Sequence, residues 1–134
     1  MKVLVDTSVW SLALRRNEQN AISEKLAELI RESLVAMVGP VRQELLSGIT
    51  DSTVFNNLKS KLQSFDDLPI TTNEYETAAE FYNTCRKHGV QGSHIDFLIC
   101  AVAYNHDLLI FTTDLDFTHY EKFLPIRLFR PAIA

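Results

Sequence analysis

"HIDFLICAVAYNHDLLIFTTDLDF", residues 94–117, sets a helix, a strand and four acids in one run. Ile95, Leu98, Ile99 and Val102 recur at helical spacing and predict a helix over 94–105. Residues 108–111 are apolar without alternation, the pattern of a strand covered on both faces of a parallel sheet. Asp114 and Asp116 follow where that strand ends, and Asp96 lies in the first turn of the helix before it. A helix feeding a fully buried strand is half of a crossover unit, and ligands of such sheets bind beyond the carboxyl ends of the strands.

The rest of the chain repeats this alternation. Strands are expected over 2–5, 34–38, 68–70 and 126–129 as well, five in all. Between them lie a short apolar helix over 8–14 and a helix over about 20–32 with Ile22, Leu26, Leu29 and Ile30 on one stripe. Pro40 suits the first turn of a helix ending at Gly48. Asp51 or Ser52 can cap the next, whose stripe is Phe55, Leu58, Leu62 and Phe65. Asn73 and Glu76 have capping-box spacing and open a helix with Tyr75, Ala78, Ala79, Tyr82 and Cys85 inward and Gly89 at its end. A short helical segment is expected over 115–120. The expectation is one α/β domain over residues 1–134 with a mostly parallel five-stranded sheet.

Composition narrows the function classes. The chain is 46% apolar and 22% charged, as in ordinary globular proteins. No stretch approaches a membrane span and no signal peptide is visible, so a cytoplasmic protein away from membranes is expected. Cys85 and Cys100 have no metal spacing and read as reduced thiols in or near the core. The net charge of −4 argues at first against nucleic acid. With Asp6, Glu44, Asp96, Asp114 and Asp116 gathered into one pocket, however, the remaining surface would carry about +1.

Asp6, Glu44, Asp114 and Asp116 fall at or near carboxyl ends of predicted strands, whereas Asp96 opens a helix whose start can lie at either end of the sheet. Asp6 follows the first strand in "VLVDTSVW", residues 3–10, and Glu44 lies on the helix opening after the second. Each has a plain structural explanation: Asp6, Asp96 and Asp114 as helix or turn caps, Asp116 as a first-turn residue, Glu44 as a solvated helix residue. Those explanations do not require the acids to share one end of the sheet. Two like charges about 4 Å apart repel by roughly 4 kcal/mol at an effective dielectric near 20, so gathered carboxylates take up protons or hold cations. An oxygen-only set favours Mg²⁺ or Mn²⁺ over zinc. Ser8, or its neighbour Thr7, and Thr112 could orient a carboxylate or a water. Trp10 belongs most simply to the core.

In order, "VLVDTSVW", "VRQELLSG" (residues 41–48) and the 94–117 run resemble the PIN-domain ribonucleases, and among them the VapC-type toxins of toxin–antitoxin pairs. The resemblance spans the whole chain. It implies a three-layer α/β/α fold and a metal-dependent endoribonuclease with Asp6, Glu44, Asp96 and Asp114 as the acidic quartet. Asp116 becomes an auxiliary acid, Thr112 an ordering hydroxyl and Ser8 a water-orienting group. It also places Asp96 at the active-site end. One or two Mg²⁺ or Mn²⁺ ions are expected on Asp6, Asp96 and Asp114, with Glu44 direct or through water. Attack by an activated water would leave 5′-phosphate and 3′-hydroxyl ends.

The implied partners are RNA, a second copy of the chain, and a VapB-type antitoxin that carries DNA binding into a larger assembly. The antitoxin's C-terminal segment would cover the acids and an Arg from it would pair with them. Arg15, Arg16 and Arg42 are the candidate phosphate contacts, with Lys87, His88 and His94 behind them. A housekeeping RNA-processing nuclease or a non-catalytic binding module remains an alternative on the same fold. A phospho-accepting receiver domain would need an Asp after the third strand and a Lys after the fifth; "LPITTN" and "IRLFRP" offer neither.

Overall fold

The computed structural model describes residues 1–15 and 20–131. Three strands form a parallel sheet in the order β2-β1-β3: β1 is Val3–Val5, β2 Val35–Ala36 and β3 Leu109–Phe111. Val3 sits opposite Val35 and Leu109, and Leu4 opposite Ala36 and Ile110. Every residue of β1 is buried although successive side chains point to opposite faces, so helices cover the sheet on both sides.

The two outermost predicted strands are reduced to single parallel bridges, Met37 with Asp67 and Ile110 with Leu128. The alignment is that of a five-stranded sheet; the ladders are too short to continue. A three-residue strand turns only its middle residue's N–H and C=O away from β1, and Ile110 uses both, donating to Arg127 and accepting from Phe129. On the other edge Leu68 donates to Met37, and the chain turns into a helix at Gly39, two residues after Met37, which ends the pairing.

Seven helices connect the strands among the described residues: α1 Thr7–Arg15, α2 Ala21–Arg31, α3 Gly39–Leu46, α4 Ser52–Leu62, α5 Thr72–Lys87, α6 His94–Asn105 and α7 Asp116–Tyr120. α1 packs on α2 and α3, α3 on α4, and α5 on α6, which reaches β3. Caps explain most boundaries. Asn20 and Ser23 form a reciprocal box at α2, and Asp51 accepts from Thr53 and Val54 at α4. Ser93 accepts the Asp96 N–H at 3.0 Å to open α6 where the sequence places it.

α5 departs from expectation. Its capping box is Thr71 with Glu74, not Asn73 with Glu76, so the helix begins two residues early. "TTNEYE" offers that spacing twice, and the first pair prevails because buried Glu74 also accepts from Asn105 of α6 at 2.8 Å. The buried face is accordingly Ala78, Phe81 and Cys85, while Tyr75 is 57% exposed. α6 is buried from Phe97 through Ala103, more completely than a one-sided stripe, because it lies between the sheet and α5. Trp10 joins the core at 3% exposure, edge-on to Phe65. Cys85 and Cys100 are free and buried.

Candidate active site

Asp6 stands one residue beyond β1, where its N–H donates to the Phe111 carbonyl at the end of β3. Its carbonyl accepts from Val9 and Trp10 and begins α1, so the residue both caps a helix and sits at the carboxyl edge of the sheet. The side chain is 6% exposed. Its Oδ2 accepts from Ser8 Oγ and Thr112 Oγ1, each at 2.8 Å, with a longer contact from the Ser8 N–H at 3.4 Å. Each hydroxyl has one proton and spends it on that oxygen, so the 3.2 Å approach of Ser8 Oγ to Thr112 Oγ1 is a contact rather than a third bond.

The two hydroxyls in turn accept from the loop after β3. Thr113 N–H donates to Ser8 Oγ and Asp114 N–H to Thr112 Oγ1, both at 3.0 Å. Loop backbone, hydroxyl and carboxylate thus form two parallel relays that lock the ends of β1 and β3 together. Among the described residues no hydrogen bond uses Asp6 Oδ1.

Asp96, Asp114 and Asp116 each bring a carboxylate oxygen to within 4.8 Å of the others. Asp114 Oδ1 accepts the Asp116 N–H at 2.9 Å, fixing the entry to α7. Asp96 is half-buried, and Tyr120, at the far end of α7, donates its phenolic O–H to Asp96 Oδ2 at 2.8 Å. Burial pushes the Asp96 carboxyl above the usual range, and the charges of Asp6 and Asp114 push the same way; the Tyr120 and Ser93 hydroxyls act against them. The Tyr120 phenol is itself raised, by burial first and by Asp96 second, so it remains a donor.

Glu44 stands apart from the three. It is exposed on α3, and Thr7 Oγ1 donates to its Oε1 at 3.2 Å, tying it to the residue next to Asp6. The quartet of expectation is therefore drawn from three places: Asp6 at β1, Glu44 tethered beside it, and Asp96 with Asp114 and Asp116 as one cluster. At the 4.8 Å limit the half-buried pair Asp96 and Asp114 would repel by about 3 kcal/mol at an effective dielectric near 20. An all-oxygen set suits a hard divalent cation.

The expected phosphate contacts fare differently. Arg42 is not a free rim cation, because its guanidinium is bound within the fold. It pairs with Asp67 at 2.9 Å, donates to the Leu62 carbonyl at 2.9 Å and donates to the Phe65 carbonyl. Arg15 ends α1 with its side chain outside the described residues, and Arg16 lies outside them altogether. His94 stacks on Tyr82 and His88 on Phe123, and Lys87 is exposed. Tyr120 and the Thr113 amide take part in the site without any sequence signal. A tyrosine four residues after Asp116 reads as core, and an amide is invisible in a motif.

A sequence profile of the PIN domain matches residues 3–123. The VapC ribonuclease Mb1587 of Mycobacterium bovis is 30% identical over 118 residues, 86% of this chain and 88% of that protein. Among solved structures, FitAcB from Neisseria gonorrhoeae superposes with a TM-score of 0.77 at 24% identity, covering 96% of this chain and 97% of the other. VapBC2 from Rickettsia felis, bound to a DNA fragment from its promoter, gives 0.77 at 15% identity over 96% and 98%. At these identities the two structures speak to the fold.

Proposed function

This chain belongs to the PIN-domain family, alongside its VapC-type ribonucleases, and from that premise we propose that it is a metal-dependent endoribonuclease, the toxin of a toxin–antitoxin pair. The observation that carries the reading is the convergence of Asp96, Asp114 and Asp116 at the sheet edge that also carries the doubly anchored Asp6. The resemblance to a VapC ribonuclease over most of both chains supports the substrate class.

Mg²⁺ or Mn²⁺ fits these residues, which offer carboxylate oxygens and no competing imidazole or thiolate. Such an ion, when bound, makes a water more acidic and offsets the charge that develops on the leaving oxygen of a phosphodiester. The chain's own part is positional. Asp96, Asp114 and Asp116 supply donors within one small volume. Ser8 and Thr112 hold Asp6 by one oxygen and leave the other for the site. Glu44, steadied by Thr7, extends the acidic edge toward α3.

The same reading supplies the partners. A groove of about 780 Å³ between α1, α3 and α4, with Leu14, Glu44, Leu45, Val54 and Leu58 among its walls, offers a berth for the antitoxin segment that would cover the acids. An Arg from that segment would find unneutralised carboxylates at its end. No helix among the described residues is long and apolar enough to cross a membrane. Free buried cysteines and an RNA substrate accord with the cytoplasm as the place of action.

Induced expression in a bacterial host, with RNA 5′ ends mapped, tests the toxin reading. Growth arrest with discrete new 5′ ends, lost in Asp6→Ala and Asp96→Ala, is the expected result. Wild-type protein that is abundant, folded and harmless, and that cuts no RNA, would favour the non-catalytic module.

A further inference from the structure

We propose that Tyr120 is a positioning residue for the Asp96 carboxylate, and that Gly92 is the gap in the backbone through which its phenol reaches. The inference rests on the reading that the acids hold a divalent cation.

Tyr120 is completely buried, its ring held against Phe97 at 4.9 Å and Phe117 at 5.2 Å. A phenol in such a place needs a partner, and Asp96 Oδ2 is the one recorded for it. The bond fixes the orientation of a carboxylate that brings an oxygen to within 4.8 Å of those of Asp114 and Asp116. α7 therefore fixes two acids at once. Asp116 is its first residue, and Asp96 is held by its last.

Gly92 shows how closely this arrangement is built. A Cβ placed there would lie 2.3 Å from the Tyr120 hydroxyl oxygen, 2.7 Å from its Cζ and 2.9 Å from Phe97 Cε2. Any side chain at position 92 must displace the phenol or the Phe97 ring. The requirement is one of space, since no unusual backbone angle is recorded there. Partners that orient a metal-ligating group through its other atom commonly contribute ten- to a hundredfold in metal affinity.

Tyr120→Phe removes one oxygen and keeps the ring, so it separates positioning from packing. Mn²⁺ titration of the full chain without RNA, followed by electron paramagnetic resonance, should give a dissociation constant about tenfold weaker than wild type. Gly92→Ala should weaken Mn²⁺ binding in the same direction by pushing the phenol away. In RNA cleavage the phenylalanine variant should lose kcat with KM unchanged. A residue that serves only packing would lower the melting temperature and leave Mn²⁺ affinity alone. An unchanged Mn²⁺ dissociation constant in Tyr120→Phe, in a protein where Asp96→Ala abolishes binding, overturns the inference and leaves the cation site standing. A wild-type chain that binds no Mn²⁺ overturns both.

Discussion

Ser8 and Thr112 each give their single proton to the same oxygen of Asp6 and each receive an N–H from the loop after β3. Thr112→Val keeps the shape and removes both halves of one relay, leaving the Asp114 N–H without its acceptor. A lost bond of this kind costs about 1 kcal/mol in stability. The larger expected effect is on function: turnover on RNA should fall by at least tenfold while circular dichroism stays native. Asp96 makes a pH prediction. Its native carboxyl is raised above the unfolded value, so between the two the native state holds more protons and stability falls as pH rises. Metal-free Asp96→Asn should therefore melt above wild type at pH 7. The gap should close as pH drops below the ordinary carboxylate range; thermal melts across that span check it. At this scale Asp6, Asp114 and Asp116 were legible because they follow apolar runs, and Asp6 and Asp114 also cap the elements they open. Tyr120 was not, because its partner is twenty-four residues away and the bond depends on a glycine's missing Cβ.

Elements are held in place here by caps that reach beyond themselves. Glu74 closes the box at α5 and also accepts from Asn105 near the end of α6. The Thr71 N–H and the Asn105 amide lower its pKa, so its contribution is present above the ordinary carboxylate value and is lost as pH falls through the lowered native one. Glu74→Ala should lower the melting temperature at pH 7, and the deficit should shrink in acid. The order of strands and helices could be read from periodicity and from Gly and Pro punctuation. What could not be read was which of two identical spacings in "TTNEYE" forms the box, since a contact with another helix decides it. Nor could ladder length be read: segments 68–70 and 126–129 have the right apolar character, but neighbours of two and three residues leave one bridge at each edge, at Asp67 and at Leu128.

For the molecule as a whole, a net charge of −4 and an RNA substrate are compatible only if much of the negative charge is concentrated and neutralised. Acids from β1, the loop after β3, α6 and α7 do converge at one edge of the sheet, with Glu44 tethered beside them. A cation that binds the folded state alone stabilises it by mass action, by about 2.7 kcal/mol at a hundred times its dissociation constant. Mg²⁺ should therefore raise the melting temperature of wild type and leave that of Asp96→Asn nearly unchanged, as differential scanning fluorimetry would show. On the proposed reading these acids cut RNA with metal-activated water. Its most direct test is cleavage of purified RNA by the purified chain, with Mg²⁺ or with EDTA, followed by end-group analysis of the fragments. Cutting should require Mg²⁺, be lost in Asp6→Ala, and leave 5′-phosphate and 3′-hydroxyl ends. Cutting that persists in EDTA, or fragments ending in 2′,3′-cyclic phosphate, would contradict that reading, because the nucleophile would then be the RNA's own 2′-hydroxyl.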